Sequence, residues 1–366
     1  MIGLLEIWRR RLQFALIALI VTLISYLVLM INGLGVGLND LAGSALKSWD
    51  ADAIAYSQEA GLSVIRSELS EETISLIAEN DQVEDSAPLG YVAANYRDAE
   101  DEIASAAFIG YMPGTIGEPK ITDGESLGPN QRDGLLADKS FLKAAGLEIG
   151  DSVTVSLRLA TREFEIVGEI DEGAFFFQPA VYVLLETWQE LKYGTNEGVP
   201  AASVVLLKGD DLPGLRGDGF EAVSKSVAFA NIEGVEGQQS TVVALRWFGY
   251  LIGALVIGVF FYVLTIQKVP QIGVLKAIGA SDFFVFRQLL LQVLVLSAVG
   301  LAVSVPLAWG TEQALASLPD AVPIGFTSGT YVTTCLTLLA TAVIGSLFSI
   351  RQVFKTDPII ALGQQQ

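Results

Sequence analysis

The side chains that usually do chemistry are unevenly supplied in this chain of 366 residues. It has no histidine, a single cysteine (Cys335), and 41 aspartates and glutamates. Without histidine there is no imidazole base, no serine–histidine triad and no histidine metal site. Of the carboxylates, 36 lie between positions 33 and 245 beside 13 basic residues, a balance of −23; the other 5 acidic and 9 basic residues give +4. Two carboxylates can cleave a glycosidic bond when a cleft fixes their separation. Here neither a Gly-x-Ser-x-Gly elbow nor a metal-ligand cluster accompanies them. The acidic block therefore reads as a solvated surface, and such a surface repels phosphate, which argues against nucleic acid as a partner.

The elements that carry these residues explain how a mean hydropathy of +0.50 coexists with a net charge of −19. Residues 12–31, 247–267, 288–311 and 321–350 contain no charge. A helix needs about 20 apolar residues to cross a bilayer, and only helices or closed barrels satisfy their backbone there. The expected fold is a membrane α-helical protein with four transmembrane helices per protomer (12–32, 246–267, 288–311 and 329–350). A large extracytoplasmic α/β domain (33–245) is inserted between helices 1 and 2. A cytoplasmic loop (268–287), a short outer loop (312–328) and a cytoplasmic tail (351–366) complete it. The first segment (1–11) is either an interfacial helix, with Ile2, Leu5 and Trp8 toward lipid, or a disordered basic flank.

Orientation follows from basic residues near the spans. Arg9, Arg10 and Arg11 precede the first; Lys268, Lys276 and Arg287 lie between the second and third; Arg351 and Lys355 follow the fourth. The loop at 312–328 holds Glu312 and Asp320 and no basic residue. Both termini are expected in the cytoplasm of a multi-pass protein of the cytoplasmic membrane, with Arg246 as the exception. Its one cysteine leaves the outer domain to its own core.

Within that domain, residues 40–49 and 71–80 have helical patterns. Residues 152–159 and 163–170 alternate with period two, as an antiparallel hairpin does; residues 180–185 and 202–207 are further strands, and 224–232 is a strand or a short helix. In the second apolar span, Gly249 and Gly253 have the small-xxx-small spacing that favours helix association, which suits a dimer seam.

The sharpest motif is Ile272-Gly273-Val274-Leu275-Lys276-Ala277-Ile278-Gly279-Ala280-Ser281, preceded by Pro270-Gln271. On a helix, Ile272, Leu275, Lys276 and Gly279 share a face. That face can dock into a groove on a soluble partner or lie on the headgroups. The string resembles the signature of FtsX/MacB-type (type VII) ABC permeases. Asp357-Pro358-Ile359-Ile360-Ala361-Leu362 resembles that family's usual tail. The order of spans and outer domain is also similar over the whole chain. Most of the family carries Glu where this chain has Gln271, which is more similar to the haem exporter (HrtB-type) and glycolipid exporter (DevC-type) subgroups.

The resemblance implies a homodimeric permease subunit of an efflux pump, with two copies of a separate ABC ATPase. The chain has no Gly-x-x-x-x-Gly-Lys-Ser/Thr loop, so ATP and magnesium belong to the partner and the chain is not itself an enzyme. Ile272 through Ser281 would be its ATPase-coupling helix. The cargo implied is haem or a similar amphipathic molecule. Alternatives are lipid, glycolipid or peptide export, or transmission of force to an extracytoplasmic partner; a membrane-anchored binding protein without an ATPase is a third reading. If haem is the cargo, iron accepts Met or Tyr. Tyr26 and Met30 lie one helical turn apart near the outer end of the first span, beside Asn32. Tyr250 lies at the outer end of the second, and Tyr182 enters through the subgroup likeness of Val181-Tyr182. The ordinary alternatives are belt tyrosines and packing methionine. No intrinsic cofactor is expected, nor any metal apart from haem iron.

Overall fold

The computed structural model describes residues 11–157, 160–316, 318 and 322–354. The expectations for residues 1–10 and for the tail motif at 357–362 fall outside them. The elements are α1 (Arg11–Ser48), β1 (Ala53–Ser57), α2 (Glu71–Ala78), β2 (Val83–Arg97), β3 (Ile103–Tyr111), β4 (Ile121–Gly124), β5 (Gly134–Asp138) and α3 (Lys139–Ala145). They continue as β6 (Ser152–Leu157), β7 (Ala160–Ile170), β8 (Ala174–Phe175), β9 (Gln178–Leu184), α4 (Leu185–Tyr193) and β10 (Val204–Gly209). The last are β11 (Arg216–Gly217), β12 (Phe220–Ser224), α5 (Lys225–Ala230), α6 (Val235–Ala277), α7 (Asp282–Ala316) and α8 (Ser328–Phe354).

Among the described residues four helices, α1, α6, α7 and α8, are long and apolar enough to cross a membrane. The chain divides into two compact units: Leu38–Gln238, and the remainder on either side of it. Helices α1 and α6 carry the chain from one unit into the other. At 43 residues, α6 measures about 65 Å at 1.5 Å per residue. A hydrocarbon core is about 30 Å thick.

The membrane unit packs through its smallest residues. Phe14, Ile17 and Val21 of α1 meet Ile257, Phe261 and Leu264 of α6, Val293 and Leu296 of α7, and Ala342 of α8 in one buried cluster. A Cβ on Gly258 would lie 2.8 Å from the carbonyl oxygen of Gly345, so α6 and α8 touch backbone to backbone. Gly249 and Gly253 do not form a free seam. A Cβ on either would lie 3.1 Å from Val28 or Ile24 of the same chain's α1. The glycine spacing is therefore spent on the α1–α6 contact within one protomer, a correction to the dimer-seam expectation. Close approach without side chains gains dispersion contacts, which drive helix association in lipid.

The inserted unit, the outer one in the expected orientation, is a 12-stranded mixed sheet, in order β11-β12-β1-β10-β2-β3-β9-β5-β7-β4, with β6 pairing β2 and β7, and β8 pairing β9. β3–β9 and β5–β7 are parallel; the other pairs are antiparallel. The hairpin expected from alternation is β6–β7, paired Ser152↔Glu165 through Leu157↔Ala160. The ambiguous stretch near 224–232 is helical, as α5.

Both faces of the sheet's middle are covered. In β9, Ala180, Tyr182 and Leu184 enter one core cluster, while Val181 and Val183 enter the other. Trp188 of α4 is fully buried and lies on Gly90 and Gly110, which pair directly across β2 and β3. Only two facing glycines leave room for an indole at that distance from the strands.

Candidate functional site

The motif from Ile272 to Ser281 is a helix–turn–helix corner rather than a separate transverse helix. Its first six residues are the last of α6. Gly279 has φ +99. Its N–H donates to the carbonyl of Lys276 (3.0 Å), and the N–H of Ala280 donates to that of Leu275 (2.9 Å). This closes the helix in a Schellman arrangement, in which glycine supplies the positive φ. Ser281 then caps α7, its Oγ accepting from the N–H of Phe284 at 3.3 Å. Lys276 pairs with Asp282 at 2.7 Å and fastens the corner.

The exposed face differs from the helical-wheel expectation. Ile272 is buried against Val285 and Leu289 of α7, with Phe286 packed beside them; Leu275 and Lys276 are half-buried. The large apolar side chains left outside are Val274, Ile278, Phe283 and Phe284, with Ile278 78% and Phe283 71% exposed. Four large apolar side chains thus crowd one corner. The aromatic pair Phe283-Phe284, just beyond the motif, was the available signal for this face.

Above the corner, Lys268 is buried inside the bundle rather than set in a loop. Its Nζ donates to Oε1 of Gln292 on α7 at 3.0 Å and sits 5.7 Å from the Phe14 ring centroid of α1. This polar group joins three helices of the unit.

The residues considered for iron lie in different settings. Tyr26 and Met30 are half-buried on α1, and Tyr250 is half-buried on α6. The hydroxyl of Tyr26 shares a hydrogen bond of 3.0 Å with Oγ1 of Thr311 on α7. Asn32 is buried, its Nδ2 donating to the carbonyl of Val28 at 2.9 Å. Tyr250 meets Trp247 edge-on at 6.5 Å and borders an apolar cleft of about 380 Å³ between α6 and α8, with Phe248, Leu251, Ala254, Thr341 and Ile344.

Tyr182 is corrected. It is fully buried in the outer unit's core. The Trp49 Nε1–H donates to its hydroxyl at 2.9 Å, and burial pushes its pKa well above the usual tyrosine range. A phenol closed in this way is part of the core and offers no oxygen to a ligand. Among the described residues no group of three or more Cys, Asp or Glu could hold a metal ion.

Residues 244–358 match the family of FtsX-like permease C-terminal domains. The C-terminal part of the chain is thus an FtsX-like permease domain. The chain's similarities extend beyond that domain. A protein of Staphylococcus haemolyticus, provisionally named as the hemin transport system permease protein HrtB, is 26% identical over 360 residues, covering 98% of this chain and 97% of that one. An uncharacterised ABC transporter permease of Mycobacterium bovis is 26% identical over 364 residues, 97% of each chain. The periplasmic region of MacB from Actinobacillus actinomycetemcomitans covers 51% of this chain and 94% of its own, at 13% identity and a TM-score of 0.35.

Proposed function

We propose that this chain is the transmembrane subunit of an efflux pump, works as a homodimer in the cytoplasmic membrane with both termini in the cytoplasm, and is driven by a separate ABC ATPase bound at the α6–α7 corner. One observation carries the reading: Val274, Ile278, Phe283 and Phe284 stand exposed on a corner that a Schellman turn, a serine cap and an ion pair hold in place. A rigid apolar corner suits a groove on a soluble subunit. ATP and magnesium are held by that subunit, and hydrolysis occurs there. Movement of the corner passes up α6 and, through the Gly249 and Gly253 contacts, to α1.

The cargo is haem or a similar amphipathic molecule, in keeping with the relative named for hemin transport. Met30 is the iron ligand this reading favours, because the hydroxyl of Tyr26 and the amide of Asn32 already have partners. Tyr250 borders the apolar cleft between α6 and α8. The cleft beside Tyr250 favours a second cargo class, lipid or glycolipid, because its walls are almost wholly apolar.

The test is to purify the chain with its co-expressed ATPase, place the complex in nanodiscs and titrate it with hemin. A Soret shift that disappears in Met30→Ala, with hemin-stimulated ATP hydrolysis, is the expected result. A shift unchanged by Met30→Ala refutes the ligand. Failure of any ATPase subunit to co-purify refutes the pump.

A further inference from the structure

The turn between β8 and β9 has a sequence that its geometry disfavours. Phe175↔Gln178 is the last pair of the hairpin, so Phe176 and Phe177 form a two-residue turn, with φ of +52 and +62. Positive φ at both central positions is the geometry that Asn-Gly or Gly-Gly usually supplies. Two phenylalanines there are strained, and such strain persists only where the surroundings impose it.

The surroundings are the ends of the two helices that continue into the membrane unit. Helix α1 is broken at Gly43, which has non-helical dihedrals and bridges to Phe175. The N–H groups of Phe176 and Phe177 donate to the carbonyls of Ala42 (3.0 Å) and Leu41 (2.9 Å). The turn thus enters the hydrogen-bond ladder of α1 where the helix opens. The N–H of Ala174 adds a bond to Oγ of Ser44 at 2.8 Å.

The rings continue the connection. Phe176 packs 4.7 Å from Tyr91 of β2 and 4.6 Å from Phe175, which meets Trp49 at 5.5 Å. Phe177, 37% exposed, lies beside Gly234, the residue before α6: a Cβ added there would sit 3.8 Å from its ring. Phe229 and Ile232, on the same approach to α6, press on Gly43. Lys225 caps the end of α1 by donating to the carbonyls of Lys47 and Trp49.

We infer that the Phe176–Phe177 turn is a transmission node: it ties the broken end of α1 and the start of α6 to the sheet, so that movement of either helix moves the outer domain. The two phenylalanines are positioning residues. Their strain is kept because an Asn-Gly turn would make the same backbone bonds yet lack the Phe176 ring that packs on Tyr91 and the Phe177 ring beside Gly234. The inference rests on the pump reading above.

The test uses the full chain with its co-purified ATPase in nanodiscs. Amide hydrogen exchange is followed with and without ATP plus vanadate, which traps the ATPase closed. In the unmodified complex, trapping should change exchange in α1, α6 and the outer strands. In Phe176→Asn with Phe177→Gly, the change should persist in the membrane helices and vanish from β2, β9 and β10, with no fall in the thermal midpoint. Phe177→Gly alone keeps the Phe176 ring in the core and should show the same loss in part. An outer-domain response of full size in both variants overturns the node while leaving the pump intact. No response anywhere in the unmodified complex removes the pump reading and the node with it.

Discussion

Ile278→Ala separates two accounts of the ATPase contact. Ile278 leaves 78% of its surface exposed, so truncation should leave the permease itself within about 0.5 kcal/mol of its original stability. Full burial of an isoleucine side chain is worth about 1.5–3 kcal/mol. Covering the part now exposed is then worth about 1–2 kcal/mol, or about 5- to 30-fold in Kd. Ile272 lies one and a half turns earlier and faces inward onto Val285 and Leu289. Ile272→Ala should cost about 2–5 kcal/mol of bundle stability through the cavity it leaves. The assay is biolayer binding of the detergent-purified permease to its ATPase subunit, alongside thermal unfolding of the permease alone. Weaker binding with an unchanged midpoint is expected for Ile278→Ala, and a lowered midpoint for Ile272→Ala. The reverse pattern would refute the assignment of the exposed face and restore the helical-wheel face.

Three further outcomes follow from the packing and the ionisable groups. Gly345→Leu should force α6 and α8 apart, because their backbones touch at Gly258 and Gly345; a monodisperse gel-filtration peak at the original volume would contradict this. Lys268→Met and Gln292→Leu should be non-additive by about 0.5–3 kcal/mol in a double-mutant cycle, reflecting their 3.0 Å bond; additive losses would remove the link. Burial holds Tyr56, Tyr91, Tyr111, Tyr182 and Tyr193 above the ordinary tyrosine range. In the unfolded chain these phenols ionise near pH ~10, so unfolding releases protons above that value. Their contribution is full below about pH 10 and is lost as pH rises toward the native values. Lys192, lowered by desolvation, acts in the opposite sense: the unfolded chain binds its proton more readily, so stability rises with pH up to its ordinary value. Denaturant midpoints should therefore fall above pH ~10, more steeply in Lys192→Met; midpoints flat to pH ~11 would contradict the phenol account.

What the sequence made legible and what it hid divide by the range of the interaction. The four spans and the inserted domain could be read because lipid and water select different compositions over whole segments. The β6–β7 hairpin could be read because its partners are neighbours in sequence. The parallel pairing of β3 with β9 joins residue 107 to residue 180, and no local pattern reports such a distance. A helical wheel placed Ile272 outside because it cannot know that α7 folds back over that side. Gly249 and Gly253 announced a close helix contact but not whose helix. Tyr182 looked like a ligand from its neighbour in sequence, while its neighbours in space, Trp49 and Tyr111, make it core. The Phe176–Phe177 turn was invisible because its chain order contradicts the turn chemistry it adopts.

The tryptophans give the molecule two separable optical signals. Trp49 and Trp188 are closed inside the outer unit, whereas Trp247 and Trp309 are largely uncovered on the membrane helices. Brominated acyl chains should quench the second pair and spare the first. In a Trp8→Phe background, the emission that survives in such lipid would come from the inserted α/β domain alone. Its wavelength would follow the melting of that domain while the helices stay embedded.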